Sequence, residues 1–138
     1  MAVMVKYHTF LQELGRGGHD LNADALKMAL TDTAPDVATH ATLADIGEIA
    51  AGGGYSAGGA AVTNTAYSQS GGVATLTGDD AVFSASGSVA AFRYAVLYNS
   101  SKSDKLIGYA DRGSSAGMTA GDSFTVDADP VSGYLQVA

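Results

Sequence analysis

The chain has 138 residues, 46% of them hydrophobic, with a formal charge of −7 and a pI near 4.5. That length suits one domain, because two separate cores would each bury too little surface. Seven Lys and Arg, scattered from Lys6 to Arg112, are too few to neutralise a run of phosphates, so nucleic acid is not an expected partner.

The absence of cysteine excludes disulfides and thiolate metal sites. No apolar run approaches the ~20 residues of a membrane-crossing helix, and no basic segment followed by an apolar one opens the chain. A soluble, unprocessed protein with no membrane partner is expected. Much of the hydrophobic share is alanine, with 18 Gly and no Trp. Large side chains carry most of the burial free energy, about 1.5–3 kcal/mol each. A core so rich in small residues predicts modest stability, supplemented by contact with neighbouring subunits. The acidic balance reads as a solubility device.

In chain order, Tyr7, Phe10, Leu11 and Leu14 fall at helical spacing and Gly15, Gly17 and Gly18 follow, which predicts one short amphipathic helix over 7–14. Over 25–31, Leu26, Met28 and Leu30 alternate with Lys27, Ala29 and Thr31, the pattern of a strand with one buried face. Thr31 to Pro35 has turn chemistry. Residues 42–49 predict one or two helical turns, capped by Thr42, with Leu43, Ile46 and Ile49 inward. The run Gly52-Gly53-Gly54-Tyr55-Ser56-Ala57-Gly58-Gly59 is the most permissive stretch, expected to be a mobile arm or a loop held against a neighbour.

Strands are expected at 61–68, 73–77, 81–85, 89–98, 105–110, 123–128 and 133–137, with turns between them that include 112–121. In 89–98, Phe92, Tyr94, Val96 and Tyr98 share one face while Ala91, Arg93, Ala95 and Leu97 occupy the other. A strand apolar on both faces is central or covered by a partner. The predicted fold is mainly β: an antiparallel sandwich or jelly-roll-like barrel with one short N-terminal helix. It forms a single domain, 1–138, made of a helical or arm segment (1–20), a strand plus Gly-rich loop (21–60) and antiparallel strands (61–138).

Fragments of catalytic motifs lack their context. Gly113-Ser114-Ser115-Ala116-Gly117 fits a nucleophile elbow, but a strand follows where a helix is needed, and His8, His19 and His40 all lie upstream. Gly52 to Ala57 can be aligned with a dinucleotide fingerprint, yet no strand precedes it. The histidines lack the close spacing of zinc ligands. Asp79-Asp80 and Asp127 with Asp129 have the oxygens of a calcium loop, though solvated turns explain them as well. With no Trp, the aromatic platforms of sugar-cleaving sites are scarce. No enzyme, no cofactor and no metal are expected; a small hydrolase using Ser115 is the rival reading.

Two blocks carry a resemblance. One is Leu26-Lys27-Met28-Ala29-Leu30-Thr31-Asp32-Thr33-Ala34-Pro35 with Leu43-Ala44-Asp45-Ile46-Gly47-Glu48-Ile49-Ala50 and Gly53-Gly54-Tyr55-Ser56-Ala57-Gly58-Gly59. The other is Phe92-Arg93-Tyr94-Ala95-Val96-Leu97-Tyr98-Asn99, then Leu106-Ile107-Gly108, then Gly121-Asp122-Ser123-Phe124-Thr125-Val126-Asp127. Together, over roughly 5–137, they resemble a family of small structural proteins found in the particles of tailed phages and prophages. The resemblance implies an architecture and a location in the virion, assembled in the bacterial cytoplasm; it brings no catalytic residues. It implies a capsid decoration (cement) protein that binds the major capsid protein as a homo-oligomer such as a trimer, or else a tail-associated or receptor-binding β module. On the first reading Val3, Val5, Tyr7, Phe10 and Tyr55 are the expected subunit contacts, with packing of Phe10 on its own sandwich as the simpler role.

Overall fold

A computed structural model describes residues 4–138. Strand β1 (Val5–Lys6) leads into helix α1 (His8–Gly15), then β2 (Leu26–Thr31), a single 3-10 turn (Leu43–Asp45) and β3 (Ala60–Val62). The remainder is β4 (Ala66–Ser70), β5 (Val73–Thr77), β6 (Ala81–Ser84), β7 (Val89–Asn99), β8 (Lys105–Met118), β9 (Ser123–Val126) and β10 (Leu135–Val137). All pairings of these strands are antiparallel. A five-stranded sheet in the order β1-β8-β7-β2-β3 is accompanied by a three-stranded sheet, β10-β5-β4, and a two-stranded one, β6-β9. The fold is the mainly-β, sandwich-like one that strand alternation predicts.

The sheets meet along one side. The Met4 N–H donates to the Tyr134 carbonyl at 2.9 Å, and Lys6 Nζ donates to the Gln136 carbonyl at 2.9 Å. These bonds fasten β1 to the chain beside β10. One core cluster runs through the sheets and includes Phe10, Met28, Leu30, Leu76, Phe92, Leu97, Leu106 and Leu135. β7 is the centre of the large sheet, between β8 and β2, and Ala95 to Asn99 are all buried. Apolar residues on both faces of that strand therefore pack within the chain.

α1 lies against β8 and ends where the glycines require. Gly17 takes φ +78, and the Gly18 N–H returns to the Glu13 carbonyl at 2.7 Å, which ties off the last turn. The 42–49 segment narrows to one 3-10 turn. There the Asp45 carboxylate accepts from the Ala41 and Thr42 N–H groups, and Ile46 is buried.

Three expectations are corrected. The run 61–68 is two strands in different sheets, broken at Asn64, whose φ is +54; Asp79 fixes the break by accepting from Thr63 Oγ1 and Asn64 Nδ2. The expected turn at 112–121 begins too early, since β8 continues to Met118. Between the pairs Tyr94–Asp111 and Phe92–Ala116 the outer strand carries extra residues and bulges. Arg112 fills that bulge: its guanidinium lies 3.9 Å over the Phe92 ring and donates to the Ser114 and Ala116 carbonyls.

The third correction is that the Gly-rich stretch is no mobile arm. A Cβ at Gly59 would overlap the Met28 carbonyl, and one at Gly53 would overlap Ser88, so the loop lies flat on β2 and on the 86–88 turn. Among the described residues no helix is long and apolar enough to cross a membrane.

Candidate functional site

A surface cavity of about 120 Å³ opens between α1 and the start of β8, lined by Thr9, Glu13, Ala41, Thr42, Lys105 and Leu106. α1 supplies Thr9 and Glu13 one turn apart, which places them on one helix face. Backbone bonds from Leu106 N–H to the Ala41 carbonyl and from Leu43 N–H to the Asp104 carbonyl, both 3.0 Å, hold the opposite wall. Lys105 Nζ donates to Glu13 Oε2 at 3.2 Å, with both side chains about one-third exposed. The mouth is charged, and Leu106 in its wall is itself fully buried.

His19 packs against Phe10 with the two rings tilted, lies close to Glu13 and Lys105, and is 7% exposed. Asn99 orients it. The Asn99 Oδ1 accepts from the Ser101 N–H at 3.0 Å and its Nδ2 donates to Asp24 Oδ2 at 2.8 Å. The amide nitrogen therefore faces His19 Nδ1 at 3.0 Å, and Nδ1 must accept. The ring is neutral with its proton on Nε2. Burial, then the Lys105 charge, pushes its pKa below the usual histidine value, against the opposing pull of Asp24 and Glu13. Tyr7 Oη, Thr9 Oγ1 and His19 Nε2 are the buried side-chain polar atoms without a partner among the described residues, and all three lie on or against α1.

Elsewhere the carboxylates hold turns. Asp36 accepts from the Ala38 and Thr39 N–H groups, Asp122 from Thr119, Asp129 from Val131 and Ser132, Asp80 from Ala128, and Asp111 from Gly113. The acidic composition is therefore turn architecture as well as surface charge. Hydrogen bonds from Thr39 and from backbone N–H groups hold Asp36 below the usual carboxylate range, and backbone N–H groups do the same for Asp45 and Asp129.

Of the expected contact residues, Val3 lies outside the described residues. Val5 is exposed at 49% on β1. Tyr7 and Phe10 are fully buried under α1, and Tyr55 is 5% exposed in the core. Their apolar surface is used within the chain, so a partner would meet none of the three in this fold. The large exposed apolar residues are Val5 itself, Leu11, Val82 and Val131 among the described residues.

The motif fragments also find their places. Ser115 is exposed in the extended outer part of β8, so its surroundings are not a strand-to-helix elbow. His8 is exposed and His40 is half-buried. Among the described residues no group of three or more His, Cys, Asp or Glu side chains is arranged to hold a metal ion. The His19–Asn99–Asp24 network had no sequence signal, since its members are separated by up to 80 positions.

No protein-family model, curated protein or solved structure matches the chain.

Proposed function

We propose that the chain is a non-enzymatic structural protein of a tailed-phage particle, a decoration protein that cements the head shell as a homo-oligomer. The observation that carries the reading is how the polar side chains are used. Asp36, Asp45, Asp80, Asp111, Asp122 and Asp129 each hold backbone N–H groups of a turn, and Glu48 pins the Gly-rich loop. Such a molecule presents rigid loops of fixed shape, which is what a binding surface needs to limit the entropy lost on docking.

The proposed location rests on the resemblance of the two sequence blocks to small virion proteins. Packaged DNA pushes a shell outward, and a protein that binds only the expanded lattice stabilises that state by mass action. Buried partners would then be major capsid subunits, reached through exposed apolar positions such as Val5 and Leu11. Copy number in purified particles tests the location: quantitative staining should give hundreds of copies, all on heads. A few copies, found on detached tails, would instead support a tail module.

A further inference from the structure

The loop 16–24, between α1 and β2, is fastened to the β7–β8 turn through one titratable ring. His19 Nδ1 lies 3.0 Å from Asn99 Nδ2, and the two meet as acceptor and donor only while Nδ1 carries no proton. Asn99 is not free to turn over for a charged ring. Its Oδ1 accepts the Ser101 N–H and its Nδ2 also donates to Asp24 Oδ2. A flipped amide would set nitrogen against that N–H and oxygen against that carboxylate. Asp24 Oδ2 is held in turn by the Asp20 N–H at 2.8 Å.

The surroundings give a positive ring no better place. Nε2 is buried with no hydrogen-bond partner among the described residues, and one face of the ring lies against Phe10. The charged groups that face His19 are Glu13 from α1, Asp24 from the loop, Lys102 from the turn and Lys105 from β8. Both acids are already occupied, Glu13 by Lys105 at 3.2 Å and Asp24 by Asn99 and the Asp20 N–H. Asp20 turns its own carboxylate to the Asn22 N–H.

Little else keeps the loop in place. Of residues 16–24 only His19 and Leu21 are buried. The backbone bonds of the loop are short-range, such as Gly18 N–H to the Glu13 carbonyl and Asp24 N–H to the Asp20 carbonyl. Asn22 Oδ1 adds one exposed bond, from the Tyr67 N–H at 3.3 Å.

We propose that His19 is a proton-operated latch: a proton on Nδ1 sets N–H against N–H, and the 16–24 loop lets go of the β7–β8 turn while the sheets stay closed. Opening brings Leu21 and the covered face of Phe10 to solvent. In the open loop the ring regains the ordinary histidine pKa of 6.5, so opening gains as pH falls through that value and levels off below the closed-loop value. The latch belongs to the chain itself and does not depend on where in a particle the protein acts.

Amide hydrogen exchange on the wild-type chain, corrected for the intrinsic effect of pH, tests the latch. Between about pH 7.5 and about pH 5.5 the 16–24 amides should lose protection severalfold, and at both values the buried 95–98 amides of β7 should stay far better protected. Low urea should speed exchange at 95–98 and not at 16–24, because a local opening exposes little surface. Nitrogen NMR should show the His19 proton on Nε2 at the upper pH. His19→Gln, whose side-chain oxygen takes the Asn99 hydrogen without titrating, should keep the loop equally protected at both pH values. Loop amides as protected and as urea-sensitive as 95–98 would overturn the latch. So would an Nδ1–H tautomer at the upper pH, a ring that takes up its proton with the loop still protected, or a His19→Gln loop as pH-sensitive as the wild type. The wild-type exchange and nitrogen spectra decide even where His19→Gln does not fold.

Discussion

Glu48 and Tyr55 share a 2.5 Å hydrogen bond, and the same tyrosine hydroxyl accepts the Leu30 N–H at 3.0 Å. Glu48 Oε2 also accepts the Gly58 N–H at 2.7 Å, and Tyr98 Oη donates to the Gly58 carbonyl at 2.5 Å. These bonds clamp the Gly-rich loop onto β2. Burial first, and then the neighbouring Glu48 carboxylate, keeps the Tyr55 hydroxyl protonated well above its usual range.

Tyr55→Phe keeps the ring but strands the Leu30 N–H in the core. An orphaned buried donor costs about 1–3 kcal/mol, so the unfolding free energy should fall by that amount, with a lower urea midpoint at unchanged slope. Glu48→Gln, which keeps an acceptor in place, should cost less. Urea titration of the two variants beside the wild type checks the order.

Two glycine substitutions should differ in sign. Gly59 has φ +79 and no space for a methyl group against Met28, so Gly59→Ala should destabilise strongly and loosen the β2–β3 edge. Gly15, at the end of α1, has a negative φ, and a methyl group there would meet nothing within 4 Å. Gly15→Ala should be neutral or stabilising by up to about 1 kcal/mol. Thermal unfolding of both proteins reads the contrast.

Arg112 should resist conservative replacement. Its guanidinium stacks on Phe92 and lies 5.5 Å from the Phe124 ring centre while serving two carbonyls, a planar fork that an ammonium group does not reproduce. Arg112→Lys should therefore lose about 0.5–2 kcal/mol despite keeping the charge, and Arg112→Ala at least as much. Denaturant unfolding checks this, with faster amide exchange at 113–117 as the local sign.

Stability should fall with acid in two steps. His19 has a lowered pKa in the fold, so the unfolded chain binds the extra proton first, and stability drops as pH falls through the ordinary histidine value of 6.5, levelling below the folded pKa. The second step belongs to Asp24, Asp36, Asp45, Asp111 and Asp129. Burial opposes the Asp24 charge, but Asn99 and the Asp20 N–H outweigh it. All five are lowered from 3.8, so what they contribute is present above that value and is lost as pH falls through their folded pKa values. His19→Gln should remove the upper step and leave the lower one in a series of melting curves against pH.

Strands are legible in the sequence where β-forming residues run between turn signals. β5 and β7 sit where the pattern puts them, and α1 follows from Tyr7, Phe10 and Leu14. What is not legible depends on contacts distant in sequence. Asn64 reads as one more polar residue in a strand until Asp79 is known to hold it. Gly113 to Gly117 read as a turn because small residues are shared by turns and bulged strands, and only Arg112 on Phe92 separates the two. Tyr7 and Phe10 sit on a helical stripe and Tyr55 among glycines; composition does not tell whether such a ring faces its own core or a partner. The cavity beside Lys105 is made by three segments at once and leaves no local trace.

The cement reading is tested most directly on heads assembled without this chain. Deleting its gene from the phage and heating the purified, DNA-filled heads should release DNA at a lower temperature than wild-type heads, and adding back the purified protein should restore the difference. Heads that hold their DNA equally well with and without the protein, and that take up none when it is added, would contradict the account.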